Sequence, residues 1–383
     1  MILPRVDGEL RVRPEAAELA PIAEKVEAGE RISREDAIAL FETDDLLAVG
    51  SMADLVNRRL NGDRVFYVAN QHLNPTNVCI LNKVCVFCSY GVRPLADDAY
   101  TMSLDDVYAE AEAARFSPTR EFHIVGGLHP KLPLSYYTDM IRGLKERHPT
   151  VHVKALTAVE IAHLARLEGI STVDVLRELL DAGLDAMPGG GAEVFSPAVR
   201  STIADRKLAA DEWLQVHREA HRLGIPTNCT LLYGHVETAA DRVDHMLMLR
   251  DLQDETGGFS TFIPLAWHPD NTALGRQMGV EGERTGGVDD LKALAVGRVF
   301  LDNVPHIKTH WIMVTTKVSQ IALSFGVDDL EGTVVLEKVT HAAGADTPMG
   351  LDLDQIVELI RDAGKTPVER DSLYNAVVEP AVA

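Results

Sequence analysis

Two spacings of apolar residues alternate along this chain, and their order predicts its architecture. From residue 32 to about 61 the spacing is helical: Ala37, Leu40 and Phe41 share a face, and Ser33 with Asp36 matches a capping box. Residues 64–76 then turn extended around 65–68. A helix over 104–116, with Ser103 and Asp106 at its start, precedes a strand at 121–125 that ends in Gly126 and Gly127. Tyr137, Met140, Ile141 and Leu144 mark one face of the next helix, before a strand at 151–156. A helix over 172–180, opened by Ser171 and Asp174 and followed by Gly183, leads to a strand at 184–187 that closes on Pro188 and Gly189, Gly190 and Gly191. Trp213, Val216, His217, Ala220 and Leu223 form another stripe, stopped by Gly224 ahead of a strand at 226–233. Thr238 and Asp241 open one more helix, which Gly257 and Gly258 end before a strand at 259–265.

Strands and helices in strict alternation build a parallel sheet. Their number favours a full or partial (βα) TIM-like barrel over a doubly wound sheet, and chemistry in such barrels sits at the C-terminal strand ends. Beyond residue 289 the spacing is helical again, over 291–301 and 316–325, with a polar tail from 365. The expected α/β organisation is an N-terminal helical segment (1–64), a barrel core (65–310) and a C-terminal helical extension packed on the core (311–383).

Composition narrows the function. The 383 residues, 46% of them hydrophobic, suffice for a large core, and no apolar run approaches a membrane span. The first thirty residues lack a signal-peptide pattern, so a cytoplasmic location is expected. A net charge of -21 without a large Lys/Arg cluster argues against nucleic-acid binding.

Four cysteines are too few for a disulfide scaffold, yet Cys79, Cys85 and Cys88 crowd into C-x5-C-x2-C. Three thiolates can hold three corners of a cubane cluster and leave the fourth iron open. A structural zinc site is the alternative, and it wants a fourth ligand. Cys229, in an apolar run, is expected in the core.

The cysteine loop at the end of the first barrel strand, with Phe87 ahead of the last cysteine, resembles that of the radical S-adenosylmethionine superfamily, although the superfamily's usual first gap is two residues shorter. That resemblance implies a [4Fe-4S] cluster on Cys79, Cys85 and Cys88. It also implies S-adenosylmethionine as co-substrate, with Gly126 and Gly127 where the superfamily meets the methionine amino group. Segments 124–130, 187–193, 233–238 and 253–259 resemble the menaquinone and deazaflavin branch of the superfamily. Segments 152–160, 303–308 and 341–345 look most like its aminofutalosine synthase family. The family resemblance implies a C–C bond-forming transferase acting on 3-[(1-carboxyvinyl)oxy]benzoate in the futalosine route to menaquinone. It also implies an electron donor such as flavodoxin or ferredoxin. Dehypoxanthine futalosine cyclase and the deazaflavin synthase subunit share the same motifs, and a zinc-stabilised binding barrel is the non-enzyme alternative.

Polar residues at predicted strand ends supply the remaining candidates. His235, beside Glu237, is expected to serve in acid–base work, together with Glu193 and His268. Phe87, Glu193 and Tyr233 join the two glycines as expected cofactor contacts. His129, Lys154 and the run Gly189, Gly190 and Gly191 are expected to meet substrate, Lys154 as a cation for a carboxylate and the glycines through free amides. Each has a structural alternative: a turn for His129, His235 and His268, a helix cap for Glu193, a salt bridge for Lys154.

Overall fold

A computed structural model describes residues 15–113 and 118–378. Ser33 caps the helix Arg34–Glu42 in the expected reciprocal box with Asp36, and Ala37, Leu40 and Phe41 are buried. The following helix, Leu46–Asn61, packs along Gly287–Phe300 from the far end of the chain. The helix expected over 104–116 runs Leu104–Glu112, and 114–117 lie outside the described residues.

The first two strands, β1 (Arg64–Val68) and β2 (Asn70–Leu73), are separated only by Ala69. Then come β3 (Glu121–Ile124), β4 (His152–Ala155), β5 (Thr227–Tyr233), β6 (Phe259–Ala266) and β7 (His306–Ile307), each entered from a helix. Parallel pairing runs β2 to β3 to β4 and β5 to β6 to β7. The expected strand at 184–187 reduces to single bridges, Ala186 to Lys154 and Met187 to Thr227, which join the two groups.

The far side of the barrel differs from the helical extension expected over 311–383. Helices Trp311–Ala322 and Leu353–Asp362 are present, the first broken at Thr315, whose φ is 74°. Three strands lie there too: β8 (Asp329–Gly332), β9 (Thr366–Arg370) and β10 (Ala376–Val378). β8 pairs with β1, while Lys308 bridges to Asp329 and Gln71 to Val335, so the parallel ring is closed. β9 lies parallel beside β1 from Arg64 to Tyr67, and β10 pairs antiparallel with β9. The first part of the polar tail is therefore a largely buried strand, β9. Its charges hid it from a hydrophobic pattern because they are paired inside, Arg370 with Asp329 at 2.7 Å and Glu369 with Arg120 at 2.8 Å.

Candidate active site

The loop after β2 carries the three clustered cysteines across the C-terminal mouth of the barrel. Its path is held by side chains that donate to nearby backbone carbonyls. Asn74 donates to the Val125 carbonyl (2.9 Å), Thr76 to that of Tyr100 (2.8 Å) and Asn77 to that of Asp98 (2.9 Å). The hydroxyls of Tyr90 and Tyr100 meet at 2.7 Å. Cys79, Cys85 and Cys88 are free thiols, and all three line one cavity of about 340 Å3. The Cys88 sulfur accepts the N–H groups of Tyr90 and Gly91. Gly91 leaves room beside Cys79, where an added Cβ would lie 3.0 Å from the cysteine Cβ.

This donor set fits an iron–sulfur cluster. Among the described residues no three His, Cys, Asp or Glu side chains converge as a single-ion site requires. Three separate thiols around one cavity instead suit a cluster whose irons occupy separate corners. Burial pushes the Cys85 thiol up to about 12, so the positive charge of bound iron is what would hold it as thiolate.

Gly126 and Gly127 follow β3 directly beneath this loop. A Cβ on Gly127 would lie 2.3 Å from the Val78 carbonyl oxygen, and one on Gly126 3.1 Å from that of Thr76. Close approach of the cysteine loop's own backbone thus demands glycine here. Gly189 is equally constrained, 2.5 Å from the Asn228 carbonyl, and Gly191 has φ of 89°. All five glycines line the cavity. Glu193, itself at positive φ (49°), forms a buried ion pair with Lys207, whose ammonium also lies 5.3 Å from the centre of the Phe87 ring. Glu193, Lys207 and Phe87 all face the cavity. His268 faces it as well, donating through Nε2 to the Met313 carbonyl at 3.0 Å and leaving Nδ1 without a partner. Burial lowers its pKa.

Four expected site residues lie elsewhere. Lys154 is 1% exposed and meets Glu121 at 2.6 Å, the salt-bridge alternative. Tyr233 is buried behind β5, its hydroxyl donating to Asp290 at 2.8 Å. His235 is held in the turn after β5 by Glu237 (3.0 Å) and the Leu232 carbonyl (3.2 Å). His129 accepts the Lys131 N–H through Nδ1. None of the four is on the cavity wall, because strand-end position in sequence does not say which way a side chain turns.

Comparison with known proteins places these features. Residues 73–249 match the Radical SAM superfamily, and 256–382 match the CofH/MqnC C-terminal region. The chain is 47% identical to the aminodeoxyfutalosine synthase of Thermus thermophilus over 94% of its own length and 96% of that protein. The chain belongs to the aminodeoxyfutalosine synthase family. It is 41% identical to the 5-amino-6-(D-ribitylamino)uracil--L-tyrosine 4-hydroxyphenyl transferase of Methanopyrus kandleri, over 83% of this chain and 86% of that one. The fold resembles the FeFe-hydrogenase maturase HydG from Carboxydothermus hydrogenoformans, with a TM-score of 0.70, 18% identity, and coverage of 93% of this chain and 80% of that one.

The cavity of this aminodeoxyfutalosine synthase family member also gathers residues that no local motif announces. Glu160, inside a segment that carried the family resemblance, is 4% exposed and takes the Gly126 N–H on one oxygen and Thr157 on the other. Burial pushes its pKa up to about 7 against the pull of those donors. Lys207 arrives from a loop with no sequence signal. His72 and His123 come from β2 and β3, His310 from the start of the helix Trp311–Ala322, Glu331 from β8 and Glu337 from the loop beyond it. Only barrel closure brings them together.

Proposed function

We propose that this chain transfers the 5'-deoxyadenosyl group of S-adenosylmethionine to the enol-ether carbon of 3-[(1-carboxyvinyl)oxy]benzoate. Rearrangement onto the benzoate ring and loss of the carboxylate then give 6-amino-6-deoxyfutalosine. Near-full-length identity to an aminodeoxyfutalosine synthase carries this reading, and the three free thiols on the wall of one cavity support it. When bound, a [4Fe-4S] cluster on Cys79, Cys85 and Cys88 supplies the electron that splits S-adenosylmethionine into methionine and a 5'-deoxyadenosyl radical.

The chain's own residues contain that chemistry. Leu232, Ile263, Leu265, Trp267 and Met313 make much of the cavity wall apolar, which keeps water from a reactive intermediate. The glycine turns let a ligand approach the backbone closely. Glu193 with Lys207 offers one anion and one cation for the amino and carboxylate ends of a methionine group. Glu160, poised near neutrality, is suited to hold or release a proton beside Gly126. A small redox protein such as flavodoxin or ferredoxin is the expected reductant, in the cytoplasm; no helix among the described residues is long and apolar enough to cross a membrane.

The test is an anaerobic assay of the cluster-loaded, dithionite-reduced protein with both substrates, read by product mass. An adduct of the mass of aminodeoxyfutalosine is the expected result. 5'-Deoxyadenosine without adduct would move the substrate to a sibling reaction.

A further inference from the structure

A two-residue rhythm runs through the strands on one side of the barrel. Asn70, Glu121, Lys308 and Asp329 lie buried at its lower level. Two residues further along, one level nearer the mouth, stand His72, His123, His310 and Glu331. The upper four line the cavity and the lower four do not.

The lower level is electrically closed. Lys154 meets Glu121 at 2.6 Å and Arg370 meets Asp329 at 2.7 Å. The acids that do reach the cavity are also engaged. Glu331 pairs with Lys308 at 3.1 Å, and Glu337 accepts from His341 and from the backbone N–H groups of Val339 and Thr340.

The three imidazoles stand apart from this saturation. Nε2 of His72 and Nδ1 of His310 have no hydrogen-bond partner among the described residues, and the carboxylates facing His123 and His310, Glu121 and Glu331, stand off at 3.8 Å, with His123 helping to stabilise the Glu121 charge. His72 is 7% exposed and stacks on His123 with ring centres 4.6 Å apart. Other imidazoles of the barrel each hold at least one partner, His217 the Thr227 hydroxyl, His245 the Thr230 carbonyl and His306 the Asp328 carboxylate. Unpartnered buried polar groups are costly, and a cluster of them beside a cavity is the pattern expected where a ligand supplies the missing partner.

We propose that His72, His123 and His310 form the receptor for a carboxylate of the substrate, at the end of the molecule that reaches deepest into the barrel. This rests on the reading of the substrate as a benzoate enol ether with two carboxylates. The chemistry suits it: burial pushes His72 down to about 3 and lowers His310, so these two rings are held neutral when nothing is bound. An arriving anion favours their protonated forms and gains charge-assisted hydrogen bonds. Lys308 offsets the charge of Glu331, and hydrogen bonds from His341, Val339 and Thr340 hold that of Glu337.

The experiment measures binding of 3-hydroxybenzoate and its neutral isostere 3-hydroxybenzamide by calorimetry, and KM values for the enol ether and for S-adenosylmethionine. Cluster-loaded wild type, His72→Gln and His310→Gln are compared, so that a folding defect in one variant leaves the other. Each variant is expected to bind the benzoate about tenfold more weakly, with the benzamide unaffected, as loss of one charge-assisted bond predicts. The KM for the enol ether should rise likewise and that for S-adenosylmethionine should not. Unchanged benzoate affinity in both variants, an equal loss for the benzamide, or no benzoate binding by wild type overturns the receptor. If wild type binds benzoate through these residues but does not convert the enol ether, the substrate reading fails while the receptor stands.

Discussion

Glu160 reaches back from the helix Ala158–Glu168 to take the Gly126 N–H at 3.0 Å, while its other oxygen takes the Thr157 N–H at 2.7 Å. One carboxylate therefore both caps a helix and fixes the turn that supports the cysteine loop. Because burial raises its pKa to about 7, the folded protein holds a proton there that the unfolded chain, near the ordinary value of 4.5, has released. The Glu160 contribution to stability is accordingly greatest below that ordinary value and falls as pH rises from about 4.5 to 7, at a slope approaching about 1.4 kcal/mol for each pH step of one. Denaturant melts of metal-free protein across this window should show the slope, and Glu160→Gln should flatten it.

Replacing Cys79, Cys85 or Cys88 with Ala should abolish turnover and the iron–sulfur absorbance. Cys229→Ala should keep both, at about 1 to 2 kcal/mol in stability, since that thiol is fully buried and only touches the Thr261 carbonyl at 3.5 Å. Iron analysis beside a chemical melt separates the two classes of variant.

Gly127→Ala would force a methyl group to within 2.3 Å of the Val78 carbonyl oxygen, a backbone atom that cannot turn aside. The cysteine loop must then shift, and reconstitution should yield about half the wild-type iron or less. Normal iron content with lost S-adenosylmethionine cleavage would show that the glycine serves the ligand rather than the loop.

Lys154→Met removes the nearest counter-ion of buried Glu121, leaving Arg370 at 4.0 Å and the Ser372 hydroxyl, and should cost about 3 kcal/mol in a urea melt. The double variant Lys154→Met with Glu121→Leu should recover much of that. Burial works to raise the Glu121 pKa, but the Lys154 charge together with His123, Arg370 and Lys308 outweighs it and holds the carboxyl well below the usual range. The pair's contribution is complete at neutral pH and is lost only as pH falls below that range towards the depressed value.

Local signals carried the sequence reading where the chain's own neighbours decide structure. The boxes Ser33 with Asp36, Ser103 with Asp106 and Thr238 with Asp241 all form, and the cysteine loop lies at the mouth of the barrel. The reading weakened wherever partners are remote. β8 is Asp-Leu-Glu-Gly and β9 carries Glu369 and Arg370, so neither shows an apolar run; both are strands because their charges meet counter-ions across the barrel. Lys154 and His72 illustrate the same limit from opposite sides. Glu121, 33 residues away, absorbs the lysine's charge, whereas no side chain does so for the imidazole.

The pairing of β1 with β8 and β9 has a consequence for how the protein is made. Residues near 65 emerge from the ribosome early, but their neighbours near 330 and 368 emerge last. The ring therefore cannot close until synthesis is nearly complete, and Cys79, Cys85 and Cys88 spend most of translation on an open, half-built sheet. Metal-delivery machinery has its widest access to these thiols during that interval, before the last strands seal the wall of the barrel.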